Sequence, residues 1–200
     1  MFISFEGIDG CGKTTQMAML AQTLNERGED VMTIREPGGT ELSENIREIL
    51  LNSKNDMSPK TELLLFEAAR SHLVSRVITP ALKARRTVLS DRFYDSTTAY
   101  QGYGRGIAVE DVININKFAA DRIAPDITFY FDLSVEIALS RYSSRISDRI
   151  ETAGREFFER VRQGFLKIAG AEPERIIVID ASRSIEEIHN EVLKHYEARK

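Results

Sequence analysis

Cys11 is the only cysteine in this 200-residue chain, so no intrachain disulfide can form. No apolar run approaches the roughly 20 residues that cross a bilayer, which argues against a membrane-spanning helix. No basic segment with an apolar core stands at the start of the chain. Phe2-Ile3-Ser4-Phe5 reads directly as a strand, and the expectation is a cytoplasmic protein. An excess of positive charge is missing too. The net charge of −4 argues against broad nucleic-acid binding, which needs a positive field.

What is present suits one soluble domain. An apolar fraction of 42% can supply a core, and a charged fraction of 29% fits a solvated surface. Nineteen of the 27 basic residues are arginine, the side chain suited to two-pronged phosphate recognition. Codon usage and ordinary surface charge account equally well for the excess as a whole, so only arginines inside motifs carry weight.

The most informative stretch is Gly7-Ile8-Asp9-Gly10-Cys11-Gly12-Lys13-Thr14-Thr15, which has the spacing G-x-x-x-x-G-K-[ST] of a phosphate-binding loop. It lies between a strand pattern and a helix pattern. Its glycines let consecutive backbone N–H groups turn inward around an anion, and the start of the helix adds its positive dipole end. Lys13 is placed to reach β- and γ-phosphates, and Thr14 to hold Mg²⁺. All nine residues, Gly7 through Thr15, are candidate ATP contacts. Cys11 reads as a small filler, with a redox-sensing thiol at a helix N-terminus as the alternative.

Strands alternate with helices along the chain. Strands are expected at Phe2–Phe5, Asp30–Arg35, Thr87–Asp91, Ile127–Phe131 and Ile176–Ile179, the last two buried. Helical spacing runs over Gln16–Arg27, Leu42–Leu51, Thr61–Arg85, Phe93–Gln101, Val109–Arg122, from Val135 on, Phe157–Ile168 and Ile185–Tyr196. The long stretch should break near Ser71 or Pro80. Gly102 to Gly106 reads as a glycine-rich loop. This alternation predicts an α/β three-layer sandwich, a five-stranded parallel sheet with helices on both faces. The whole chain, 1–200, reads as one P-loop domain with a short polar lid at about 141–152. Ligands in such sheets sit beyond the carboxyl ends of the strands, so the loop, Glu36-Pro37, Asp91-Arg92 and the segment after Asp180 should converge.

A phosphate loop does not say what becomes of the nucleotide. GTP switches carry an N-K-x-D base motif, but here Asn116-Lys117 runs into Phe118-Ala119 within a helix pattern. Motor and transporter ATPases need more length. Transfer between two anionic groups remains, and it calls for several arginines and Mg²⁺ at the junction. An acceptor that is a nucleoside monophosphate needs no strong base, since its oxygen is already ionised. Arg92, Arg70, Arg47 and the cluster Arg141, Arg145 and Arg149 are available.

Several segments in chain order resemble bacterial thymidylate kinases, nucleoside monophosphate kinases of the P-loop type. They are Arg35 to Thr40, Phe66 to His72, Asp91-Arg92-Phe93 with Ser96-Thr97, Ala99 to Arg105, and Asp148 to Glu151 followed by Phe157-Phe158. The resemblance implies phosphorylation of dTMP to dTDP by ATP with Mg²⁺, in a homodimer. It implies that Phe66 stacks on thymine and that Arg70 donates to the thymine 4-carbonyl. Thr97 and Gln101 would contact the base, and Tyr100 would crowd the 2′ position. Asp9, Glu36, Pro37, Arg47 and Ser96 fall on the acceptor side. Arg92 would bridge the two nucleotides, and Asp91 would order Mg²⁺ through water. Arg145 and Arg149 would act from the lid, because Gly10 stands where some of these enzymes carry a loop arginine. Plainer readings stay open: a core role for Phe66, back-bonding for Thr97, a helix cap for Asp91, a salt bridge for Arg92 and a solvated run for the lid. A kinase for another monophosphate such as dUMP, or a nucleotide-binding regulator without turnover, are the alternatives.

Overall fold

The computed structural model describes residues 1–52, 56–142, 149–150 and 153–200. Five strands form one parallel sheet: β1 (Phe2–Glu6), β2 (Val31–Arg35), β3 (Thr87–Asp91), β4 (Ile127–Asp132) and β5 (Ile176–Asp180). Their order is β2-β3-β1-β4-β5, as expected of alternating strand–helix units. Register is fixed by pairs such as Phe5 with Asp91 and with Phe129, and Asp132 with Asp180. The carboxyl ends of β1 and β3 therefore lie side by side, Phe5 opposite Asp91, and the loops that follow them meet.

Alternate residues of the strands serve opposite faces. Phe2, Ile34 and Val88 pack on Leu73, Val74, Ile78 and Ala81. Ile3, Phe5 and Leu89 pack with Leu20 and Leu24. The first set of partners belongs to α3 (Pro59–Leu73), a π-helical stretch Val74–Ile78 and α4 (Thr79–Lys83), and the second to α1 (Lys13–Glu26). Helices thus cover both faces. Local chemistry starts them: Thr40 accepts from the Ser43 amide at the head of α2 (Glu41–Leu51). Ser58 does so for Thr61 in α3, with Pro59 in the first turn, and Ser184 and Glu187 form a capping box on α9 (Ile185–Glu197).

Four expectations are corrected. The stretch Thr61–Arg85 does not break at Ser71 or Pro80. The helical path runs on through the π-helical stretch, where the Thr79 amide reaches back to the Val74 carbonyl. A wider turn just before Pro80 accommodates the residue that lacks an N–H. Gly102 to Gly106 is not wholly a loop, because the helix that starts as α5 (Tyr94–Thr97) continues as a π-helical stretch Thr98–Gly104. A Cβ on Gly104 would stand 2.7 Å from the Phe157 ring of α8 (Arg155–Ala171), so glycine here serves close helix packing, not a turn. The helix begun at Val109, α6 (Val109–Ala119), ends before Arg122, since Asp121 and Arg122 take positive φ. Finally, β5 is an edge strand with Val178 exposed, not a strand buried on both sides.

Candidate active site

The segment from Gly7 to Thr15 links β1 to α1. Gly7, Gly10 and Gly12 take φ of 143°, 84° and 95°, which side chains would resist. Gly12 is the N-cap of α1, no side chain caps that helix, and its first turn holds no acidic residue. Its leading amides are thus left for an external anion. A Cβ on Gly10 would come 2.8 Å from the Ala138 carbonyl of α7 (Val135–Tyr142), so no side chain fits there. Cys11 is buried against Gly7, and burial pushes its thiol above the ordinary value. It fills space; a reactive thiolate is not what this environment produces.

Lys13 and Arg92 both bond to Asp9, through Nζ at 2.9 Å and Nη2 at 2.8 Å. Burial opposes the charge on Asp9, but Arg92 and Lys13 outweigh it and hold the carboxyl well below the usual range. Arg92 follows β3 with a φ of 73°, an αL conformation that turns its side chain over the loop. There it donates to the Gly7 carbonyl at 2.9 Å and to Ser96 Oγ at 3.0 Å, and stands 5.2 Å from the Tyr100 ring centre. A half-buried side chain with contacts to Asp9, Gly7, Ser96 and Tyr100 is more than a simple surface salt bridge.

Two features hold Arg92 in place. Its amide donates to the Phe5 carbonyl, and its own carbonyl accepts from Ser90 Oγ. Beneath it, buried Glu6 accepts from the Phe93 amide at 2.7 Å and from Ser96 Oγ at 2.5 Å. Burial, with Asp95 nearby, pushes the Glu6 carboxyl up to about 8.

Thr14 Oγ1 donates to Asp91 Oδ2 at 2.6 Å. The N-cap of α5 is Phe93, with no side-chain cap bond, so Asp91 is not a helix cap. Its carboxylate is directed to the loop. This pair of hard oxygens at the phosphate loop fits Mg²⁺, which binds through one or two protein oxygens and fills its octahedron with phosphate and water. Among the described residues no cluster of three or more His, Cys, Asp or Glu is arranged to enclose a metal by itself.

Beside the loop lies a cavity of about 160 Å³. Every residue expected on the acceptor side lines it: Asp9, Glu36, Pro37, Arg47, Phe66, Arg70, Arg92, Ser96, Thr97, Tyr100 and Gln101. Arg47 donates to the Pro37 carbonyl at 2.9 Å, and the Glu36–Pro37 peptide is cis. Arg70 is buried and donates to Glu36 Oε2 at 2.8 Å, Thr97 Oγ1 at 2.9 Å, Glu67 and Asn116. Thr97 therefore serves Arg70; the back-bonding neighbour is Thr98, to the Tyr94 carbonyl. Burial pushes Glu36 up to about 7, with Arg70 opposing and Glu67 adding to the rise. Glu36 Oε1 is buried without a partner among the described residues, a vacant acceptor at the cavity wall.

Leu51, Phe93 and Ile150 also line the cavity and were not singled out from sequence. Neither were Glu6, Glu62, Glu67 and Asn116, which hold the lining residues. Glu6 carried one signal, an acidic residue at the carboxyl end of a strand, as Asp91 is. Among the lid arginines, Arg141 donates to the Gly10 carbonyl at 3.2 Å and so stands on the loop. Arg149 instead donates to the Leu50 carbonyl and to Glu62, away from the phosphate loop. Arg145 and Asp148 lie outside the described residues. Ser182 folds back on Asp180 at the end of β5, and neither lines the cavity.

Comparisons with known proteins show the family. A family model described as thymidylate kinase matches residues 5–192. A thymidylate kinase of Chlorobaculum tepidum is 50% identical over 99% of this chain and 97% of its own length. One of Kosmotoga olearia is 48% identical over 98% of this chain and 95% of its own length. The crystal structure of thymidylate kinase from Ehrlichia chaffeensis matches with a TM-score of 0.80 and 40% identity, covering 98% of both chains.

Proposed function

The chain belongs to the thymidylate kinase family, and on that premise we propose that it transfers the γ-phosphoryl group of ATP to dTMP, giving dTDP. One observation carries the reading: Asp9 of the phosphate loop and Arg92, which bonds to it, both line the acceptor cavity. The two nucleotides would meet at that shared pair.

The loop amides and Lys13 hold the β- and γ-phosphates. Thr14 and Asp91 hold Mg²⁺, which neutralises charge on the donor phosphates. The dTMP phosphate oxygen is already ionised and attacks without a general base. The protein's task is positioning and charge neutralisation. Arg92 spans the junction, and Asp9 holds Arg92 and Lys13 at a fixed separation. Phe66 stacks on thymine, Arg70 and Thr97 read its 4-carbonyl edge, and Tyr100 closes the space at the 2′ position. Glu36, with its vacant oxygen, takes a sugar hydroxyl, and Arg47, Pro37 and Ser96 complete the acceptor side. The segment 141–152 serves as the lid of a single domain. Arg141, already on the loop, faces the phosphates and Arg145 of the same segment joins it, whereas Arg149 stays with Leu50 and Glu62.

A homodimer is part of this reading. Exposed Leu64 on α3 and Ile113 and Phe118 on α6, Phe118 at 87%, supply an apolar face for a second copy. Cytoplasmic residence accords with ATP and dTMP as substrates. No described helix is long and apolar enough to cross a membrane. The test is ADP release with ATP and Mg²⁺ against dTMP, dUMP, dCMP, dGMP and AMP. Highest turnover with dTMP is expected; another preferred acceptor, or nucleotide binding without acceptor-dependent turnover, overturns the proposal.

A further inference from the structure

The cavity's inner wall contains an ionised group that touches no ligand position itself. Glu62, Phe66 and Arg70 are spaced four apart on α3 and share one face of it. Phe66 and Arg70 line the cavity, whereas the Glu62 side chain is 1% exposed beneath it. Its two oxygens accept from Gln101 Nε2 at 2.8 Å, from Arg105 Nε and Nη2 at 3.2 and 3.1 Å, and from Arg149 Nη2.

An ionised carboxylate only accepts hydrogen bonds. Gln101 can therefore face Glu62 only with its NH₂ group. Turned the other way, its Oε1 would face a buried negative charge and its NH₂ would lose that acceptor. The amide is thus polarised: nitrogen to Glu62, oxygen away from it. Oε1 has no hydrogen-bond donor among the described residues, and Gln101 lines the cavity. Burial opposes charge on Glu62, but the bonds from Arg105, Gln101 and Arg149 outweigh it and hold the carboxyl below its usual range. The two arginines thus keep Glu62 in the state that orients Gln101.

We propose that Glu62 is a positioning residue for acceptor selectivity, fixing the Gln101 amide so that its carbonyl faces the base. This rests on dTMP being the acceptor. A carbonyl there suits the N3–H of thymine or uracil. It opposes cytosine, whose N3 is itself an acceptor.

Glu62→Gln tests this, because a glutamine can present either oxygen or nitrogen to Gln101 and frees its amide to turn. The ratio of kcat/KM for dTMP to that for dCMP should fall roughly tenfold, the effect of one mispaired polar contact. The KM for dTMP should rise while the KM for ATP stays in place. In a Gln101→Leu background the same change should leave the ratio unaltered. A ratio unchanged by Glu62→Gln alone, or an equal shift in the Gln101→Leu background, overturns the proposal. So does an equal loss for both acceptors with a raised KM for ATP, which would mark a purely structural role. Should Glu62→Gln not fold, Arg105→Gln, which removes two donors to the same carboxylate, must lower the ratio in the same direction, and an unaltered ratio refutes the idea. Absence of dTMP turnover in the unaltered chain is the separate failure of the functional reading.

Discussion

Replacing Arg92 by alanine separates assembly of the site from catalysis by it. Around the junction two cations, Lys13 and Arg92, share one carboxylate, Asp9, leaving one net positive charge to meet the phosphates. Alanine removes that excess, while Lys13 keeps its bond to Asp9 and the loop amides are untouched. An arginine acting on a transferring phosphoryl group is worth about 10³–10⁵ in rate, and one preorganised donor about 10²–10³. A fall in kcat of about 10³, or ~4 kcal/mol, is therefore expected, with the KM for ATP moving less than about threefold. Both residues carry a Cβ at the same φ of 73°, so the αL strain is common to the two proteins and cancels. Arg92→Lys should recover only part of the rate, because the ammonium cannot reach the Gly7 carbonyl and Asp9 as a fork does. The assay is ADP release with dTMP, run beside ATP titration and urea unfolding. A variant that loses ATP affinity and turnover by the same factor, or whose unfolding explains the loss, would falsify the bridging role.

Two other perturbations test the supports of the site. Gly10→Ala places a Cβ 2.8 Å from the Ala138 carbonyl at a φ of 84°, and should cost about 1–2 kcal/mol in urea unfolding and raise the KM for ATP severalfold; an unshifted midpoint with unchanged KM would show that α7 yields freely. Glu6→Gln should change how stability depends on pH. With an ordinary value of 4.5 raised to about 8 in the fold, folded Glu6 keeps its proton while the unfolded chain loses it. Its contribution is complete below pH 4.5 and drains away as pH rises towards 8, at up to about 1.4 kcal/mol per unit. The variant has no such slope, so urea midpoints from pH 5 to 9 should show it gaining on the parent as pH rises, and parallel curves would mean that Glu6 titrates normally.

The sheet was legible because period and punctuation agree along most of the chain. Runs such as Ile127 to Phe131 can only be strands between two layers, and Gly28 or Pro59 mark helix boundaries by backbone chemistry alone. The failures came where helix geometry is set by a neighbour. Gly102 and Gly104 carry turn-like composition, yet they lie in a helical stretch, where α8 presses Phe157 and Val161 against Gly104 and Val109 and Val112 of α6 stand beside Gly102. Likewise the edge position of β5 depends on strand order, which no local pattern encodes.

Within the site, the residues legible in sequence are those that would meet the ligand, and the illegible ones are those that hold them. Phe66, Arg70, Arg92 and Thr97 sit in segments that resemble the family's own, and all four line the cavity. Glu6, Glu62, Glu67 and Asn116 sit on three different elements, and their partners are 87, 39, 3 and 46 residues away. Only the small separation of Glu67 from Arg70 lies within one helix. This division has a physical cause. A guanidinium aimed at phosphates must be buried and fixed before the ligand arrives, and burial costs several kcal/mol unless carboxylates and amides complete its hydrogen bonds. Those completing groups may come from any element that the fold brings near, so their positions follow the topology, not the reaction. On the proposed reading, selectivity in this cavity depends as much on the acceptors behind Arg92, Arg70 and Gln101 as on the side chains facing the base.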